Sequence, residues 1–401
     1  MALLPVEEAR SRILRGVKPL PAEKVTLAGS LGRVLAQPVK ARRNQPPFAA
    51  SAMDGYAVIA DDLRNTPVSL KIVGTSAAGN RFAGTLRSGE TVRIFTGAPM
   101  PKGADAVIIQ ENTAVQSKPF VSMLQSVAQG QNVRDPGLDF ARGDVLLPAG
   151  IRLKARDIGL AAAANAAEIS VRRKPVVAIF ATGDELVAPG SKPSPDQIVS
   201  SNSHAMQMMA TLFGARVVNL GIVPDRLKAT ERVIARAAEA DILMTSGGAS
   251  VGDHDFVQEA FRNAGVDIKF WKIAMRPGKP FMYGRKNGQH ILGLPGNPVS
   301  ALVCARLFLK PLLDVLLGLP RGDDLVMARL ATAMKANDAR QDYVRATLEI
   351  AADGSRTATP FSRQDSSMQR TFREADCLIV RPPQAPEAGA GDMVPILPLD
   401  F

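Results

Sequence analysis

The chain has 401 residues, of which 46% are hydrophobic and 22% charged, with a formal net charge of +11, so it has material for roughly two to four domains with large cores. The positive balance favours anionic partners, but basic runs such as Arg42-Arg43 and Arg172-Arg173-Lys174 are short and one Trp with three Tyr leaves few platforms for stacked bases, which turns the expectation from nucleic acid to small anions. Two distant cysteines, Cys304 and Cys377, form neither a disulfide framework nor a cysteine zinc site, and the most apolar long segment, 301–317, is interrupted by Arg306, Lys310 and Asp314, so it reads as a buried helix and not as a membrane span.

Residues 1–20 read as one amphipathic helix, with Pro5 near its start, Val6, Ala9, Ile13 and Leu14 on one face and Gly16 after it. Glu7, Glu8 and Arg10 follow the first apolar residues too closely for a signal peptide, and a cytoplasmic protein is the expectation. Residues 21–45, together with 141–174, read as a linking domain with short apolar groups and an alanine-rich helix from Ala155 to Ala167. Between them, 46–140 alternates short strands with frequent Gly and Pro and reads as a separate all-β module. Asp54-Gly55 in this module favours a tight turn ahead of a strand.

From Pro175 the pattern changes. Apolar strands at 176–181, 217–223 and 241–244 alternate with helices at about 203–213, 229–240 and 256–264. Alternation of this kind predicts a mostly parallel sheet covered on both faces, with ligands at the carboxyl ends of its strands. Glu185, Asp225 and Asp255 each stand just past such an end.

The chemistry is expected at Thr245-Ser246-Gly247-Gly248-Ala249-Ser250-Val251-Gly252-Asp253-His254-Asp255, a glycine-rich turn between strand and helix. Paired glycines let backbone N–H groups approach an anion, and carboxylates directly afterwards suit a hard cation such as Mg²⁺. The stretch is neither a Walker A loop nor a G-x-G-x-x-G fingerprint. Downstream, Arg276-Pro277-Gly278-Lys279-Pro280 holds cations in a loop. Lys286-Asn287-Gly288 marks a hairpin, and Pro295-Gly296-Asn297-Pro298 opens the long apolar helix with Asn297 as its cap, a second anion seat. From 321 the pattern is β again and reads as a small C-terminal barrel, with Pro-rich spacing after Pro382. The fold class is therefore α/β plus all-β modules: a central three-layer α/β/α domain at 175–320, the β-rich module at 46–140 and the barrel at 321–401.

Six separated motifs, Pro-Pro-Phe-x-x-Ser-Ala-Met-Asp-Gly-Tyr-Ala (46–57), Thr-Gly-Ala-Pro (96–99), Thr-Gly-Asp-Glu-Leu (182–186), Ser-Gly-Gly-x-Ser-x-Gly-Asp-x-Asp (246–255), Arg-Pro-Gly-Lys-Pro (276–280) and Leu-Pro-Gly-Asn-Pro (294–298), resemble the MoeA/gephyrin E-domain family of molybdopterin molybdenumtransferases. The resemblance runs nearly the whole chain. It implies an elongated four-domain protomer with the N-terminal helix packed on the α/β domain, in a homodimer whose active site lies between that domain and the β module of the partner subunit. It further implies Mg²⁺-dependent insertion of molybdenum from molybdate into adenylylated molybdopterin with release of AMP. Handover would run from a molybdopterin adenylyltransferase and on to molybdoenzymes.

Carried over by motif, the resemblance makes Glu185, Asp225, Asp255 and Asp54 the catalytic acids, the first three of them metal ligands. It assigns Thr96, Arg134, Asp139, Ser246, Gly247, Gly248, Ser250, Pro295, Gly296 and Asn297 to the molybdopterin and AMP moieties. Arg276, Lys279, Ser300, Arg345 and one of Ser366 and Ser367 would meet molybdate, since a tetrahedral dianion wants fixed cations and hydroxyl donors. Ala49-Ala50 departs from a frequent Asp-Asn pair, and Arg276 stands where some members have lysine. The rival readings are a molybdopterin adenylyltransferase, against which the Asp-Gly-Tyr-Ala module argues, and a receptor-clustering scaffold of the gephyrin type.

Overall fold

A computed structural model describes residues 3–248, 256–320, 322 and 324–401. Its contacts divide into two compact units, Met1–Glu23 with Gly32–Ala36 and Val171–Phe401, and Lys24–Leu31 with Gln37–Ser170.

The first unit starts with α1 (Val6–Leu14), shorter than the sequence reading because Arg15 turns to extended backbone and Gly16 has a φ of 70°. Its sheet is built from β1 (Val176–Thr182), β2 (Arg216–Val223), β3 (Ile242–Ser246), β4 (Asp267–Trp271), β6 (Met282–Lys286) and β7 (Gln289–Leu294), with β5 (Met275–Arg276) set apart. The strand order is β2-β1-β3-β7-β6-β4. The first four strands run parallel, while β6 and β4 join by antiparallel pairing. The β6–β7 turn is the expected hairpin, with Asn287 and Gly288 both at positive φ.

Strands β1, β3 and β7 are buried almost throughout, which is why they read as continuous apolar runs. Their side chains alternate between two cores. Ile179, Met244 and Leu292 face α1, α2 (Asn202–Leu212) and the long helix made of α5 (Pro298–Cys304), a π turn at Ala305–Leu309 and α6 (Lys310–Leu316). Ala178, Phe180, Leu243 and Ile291 face α3 (Leu227–Arg236) and α4 (Phe256–Asn263). The three-layer α/β/α arrangement follows from that period-two split.

The C-terminal part of this unit closes into a barrel of β8 (Val326–Leu330), β9 (Gln341–Ile350), β10 (Arg356–Pro360), β11 (Cys377–Arg381) and β12 (Met393–Pro398), in the order β9-β10-β8-β12-β11 with β11 returning to β9. Strand β12 was hidden in sequence by Pro395 and Pro398. Inward-facing Val394 and Ile396 outweigh them. A short helix, α7 (Gln369–Glu374), precedes β11. The two-residue β5 pairs in parallel with β9, so the loop carrying Arg276 is an edge of the barrel sheet.

The second unit is a six-stranded mixed sheet in the order 106–109, 55–58, 90–94, 68–76, 120–123, 113–115. Tyr56, Val58, Leu70 and Ile108 pack on one face and Ala57, Val92, Ile94 and Val107 on the other. The helix expected at 155–167 spans Ala155–Ala163. Among the described residues no helix is long and apolar enough to cross a membrane.

Candidate functional site

The carboxyl ends of β1, β2, β3 and β7 open on one cleft of about 730 Å³ in the first unit. Each connecting loop contributes to its lining: Gly183 and Glu185 after β1, Asp225 after β2, Gly247 and Gly248 after β3, and Pro295, Gly296 and Asn297 after β7. Parallel strands deliver these loops to the same edge, which is the reason acids distant in sequence meet there. The sequence reading of Glu185 and Asp225 as neighbours of the glycine turn thus has its geometric counterpart. Ser250 and Asp255 lie outside the described residues.

Glycine is required at this turn. Gly247 has a φ of 92° and a Cβ there would sit 2.6 Å from the Thr182 carbonyl oxygen. At Gly248 it would sit 2.2 Å from Val257 Cγ2. The two turns are tied together by Asn202, at the start of α2, whose Nδ2 donates to Ser246 Oγ at 2.9 Å and to the Gly296 carbonyl at 2.7 Å. Asn202 is only 8% exposed, and its role was not legible because the helix reading began one residue later.

Asp225 accepts a short hydrogen bond from the Thr182 hydroxyl, and its backbone N–H donates to Asp184. That leaves Oδ2 of Asp225 and the Glu185 carboxylate as hard oxygen donors on the cleft, a donor set that fits Mg²⁺. Among the described residues no group of three His, Cys, Asp or Glu converges on such a point.

The opposite chemistry lines the same cleft. Arg276, Lys279 and Arg340 are all present, with Ser300 and Ser366 as hydroxyls. Their charges are not equivalent. Arg276 pairs with Asp342 and, at 3.4 Å, with Asp338. Arg340 pairs with Asp338 at 2.8 Å and pulls that carboxyl down to about 2. Lys279 forms no ion pair among the described residues, so it is the cation with charge to spare. Gly278 gives the loop its shape: its φ is 110° and a Cβ would lie 2.6 Å from Cys304 Sγ beneath it. Burial raises the Cys304 thiol, which leaves it neutral and outside any nucleophilic role.

Of the two candidate serines, Ser366 lines the cleft. Its Oγ accepts from Asn297 Nδ2 at 2.8 Å and its carbonyl accepts from Val299 N–H at 3.0 Å. Ser367 turns away and donates from N and Oγ to Asp365. Asn297 does hold the N-cap position, with Pro298 at the first helical position, but its side chain makes no cap bond. The barrel loop has taken both the Asn297 amide and one free N–H of the helix, so the anion seat expected at this terminus is partly filled by protein. Arg345, assigned from sequence to molybdate, is 1% exposed and lies behind the loop, donating to Gln364 and the Asp365 carbonyl.

In the second unit, Asp54 Oδ1 accepts from both the N–H and the Oγ of Thr96 at 2.8 Å, and these bonds lower its carboxyl below the ordinary range. Arg134 pairs with Ala50, and the Asp139 N–H donates to the Gln45 carbonyl. Arg93 lies over both Tyr56 and Phe95, 5.0 Å from each ring centre.

Residues 4–165 match the family model of the MoeA N-terminal region (domain I and II), residues 178–315 that of a probable molybdopterin binding domain, and residues 327–399 that of the MoeA C-terminal region (domain IV). The chain is 34% identical to a molybdopterin molybdenumtransferase of Haemophilus influenzae over 99% of both chains. It is 38% identical to that of a Nostoc species over 82% of this chain and 77% of the other. Two crystal structures of a molybdopterin biosynthesis MoeA protein from Pyrococcus horikoshii superpose with TM-scores of 0.87 and 0.83, at 29% and 27% identity. Each covers 99% of this chain and 99% or more of its own.

Proposed function

We propose, from the premise that this chain belongs to the MoeA family of molybdopterin molybdenumtransferases, that its cleft joins molybdate to an adenylylated molybdopterin and releases AMP. The chain is a transferase of molybdenum cofactor biosynthesis. What supports the finer reading is one observation: carboxylates, two glycine turns and three cations with hydroxyls line a single cleft at the edge of one sheet.

In this reading the Gly247-Gly248 and Pro295-Gly296-Asn297 turns hold the pterin phosphate, and Asn202 fixes their spacing. Glu185 and Asp225, with Asp255, would hold Mg²⁺, which when bound offsets charge on the phosphoanhydride. Lys279 offers the oxyanion an uncommitted charge, Arg276 offers its remaining N–H groups, and Ser300 and Ser366 add hydroxyl donors. A molybdate oxygen attacks the adenylyl phosphorus while the anhydride P–O bond to the pterin phosphate breaks, and AMP leaves with that oxygen. The two dithiolene thiols lose their protons and bond the Mo(VI), which keeps its other three oxygens, so no oxidant or reductant is needed. No side chain need form a covalent intermediate.

Asp54, Thr96, Arg134 and Asp139 belong to the reading as substrate contacts given by a second copy of the chain in a homodimer. The adenylylated substrate would arrive from an adenylyltransferase, and the product would pass to molybdoenzymes in the cytoplasm.

The test is release of AMP from protein loaded with adenylylated molybdopterin. Release that depends on added molybdate is expected, and release indifferent to molybdate would overturn the reading. Formation of the adenylate from Mg·ATP and molybdopterin would point instead to an adenylyltransferase.

A further inference from the structure

Arg345 heads the fully buried side chains ranked by volume, and it forms no ion pair among the described residues. A buried guanidinium of this kind needs hydrogen bonds in place of a carboxylate. Gln364 accepts one of the guanidinium's bonds and ties the Arg345 backbone as well. Its Oε1 accepts from both the N–H and the Nε of Arg345 at 3.0 Å, while its Nε2 donates to the Arg345 carbonyl at 3.0 Å and the Phe361 carbonyl at 2.9 Å. The amide is thereby satisfied on both ends. Arg345 in turn donates from Nη1 to the Asp365 carbonyl at 2.8 Å.

The residue after Asp365 is Ser366, whose hydroxyl and carbonyl meet Asn297 and Val299. Contacts therefore run from β9 through Arg345 and the Asp365 carbonyl, with the Gln364 amide bracing Arg345, to Ser366, a loop hydroxyl on the cleft. The Gln364–Arg345 bonds hold the loop on β9 two residues before Ser366, while the Asn297 and Val299 bonds hold it at Ser366 itself, so the approach of the loop to the cleft is set from both sides. We propose that Gln364 is a positioning residue for the oxyanion seat, acting through Ser366. This rests on the reading of the cleft given above.

The experiment is a two-residue cycle in the full-length protein with molybdate as probe, reading half-saturating molybdate and maximal turnover separately. Gln364→Ala and Ser366→Ala are each expected to raise half-saturation about tenfold with maximal turnover kept within about twofold, and the double variant to be no worse than the poorer single one. Gln364→Glu keeps both bonds from Arg345 and loses both donations, so it should recover to within about threefold of the parent. Multiplying losses in the double variant, or a Gln364→Ala effect confined to turnover, would overturn the proposal. If Ser366→Ala alone leaves molybdate dependence unchanged, the reading of Ser366 as a seat donor falls first and takes the relay with it. Should Gln364→Ala not fold, the near-isosteric Gln364→Met, which also loses all four bonds, takes its place in the cycle with Ser366→Ala: unchanged half-saturation in the double variant supports the relay, and a further multiplied loss removes it.

Discussion

Arg276 stands opposite Asp342 in the parallel pairing of β5 with β9, and their side chains form an ion pair at the edge of the cleft. Asp342 is 7% exposed, and its Oδ1 has no hydrogen-bond partner among the described residues. Burial raises its carboxyl against the pull of Arg276. The pairing is thus a means of aiming a guanidinium, and only secondarily a source of stability. Asp342→Asn should raise half-saturating molybdate about three- to tenfold, read from initial rates across a molybdate series. An unchanged value would remove Arg276 from the seat.

Lys279 and Arg276 are expected to differ in weight. Because Arg276 already spends charge on two carboxylates, Lys279→Ala should weaken molybdate use by up to about a hundredfold and Arg276→Ala by about tenfold. Equilibrium dialysis of molybdate against the two variants ranks them, and the reverse order would contradict the charge assignment.

Gly247→Ala meets both a positive φ and the Thr182 carbonyl. Strain of this kind costs about 1–3 kcal/mol, and the turn must shift away from the phosphate position. Lower thermal stability together with weaker binding of molybdopterin is the expected pair of outcomes. Calorimetry and a fluorescence titration check them separately.

His290 is 3% exposed, lies 2.9 Å from the Tyr283 hydroxyl, and is pushed by burial to about 4. Its ordinary value is 6.5, so between these the unfolded chain binds a proton that the native chain does not. Stability from this group is complete above pH 6.5 and is lost as pH falls toward 4, by about 3 kcal/mol in all. Urea unfolding at pH 7 and pH 4.5 should show a smaller drop for His290→Gln than for the parent chain. Equal drops would rule out this histidine as the source.

Much of this was readable beforehand. Strands β1, β3 and β7 announced themselves as apolar runs because both their faces are covered, and the glycine turns followed from composition. The strand–helix alternation put Glu185 and Asp225 just past strand ends, and both line the cleft. What sequence could not carry were contacts that depend on long-range pairing. β5 has two residues and hence no period, so its union with β9 left no trace. Nothing near Gln364 marks it as a partner of Arg345. Arg345 is buried and donates to Gln364 and the Asp365 carbonyl, and only three-dimensional packing decides whether an arginine is hidden or exposed.

The β5–β9 pairing also bears on how such proteins can be recombined. A chimaera joined near residue 321 would inherit Arg276 from one parent and Asp342 from the other. Both halves could fold and still mismatch at the seam, so a crossover that looks safe by domain boundaries would cut through the substrate pocket's wiring. Parents differing at either position should yield well-behaved hybrids that handle their oxyanion badly.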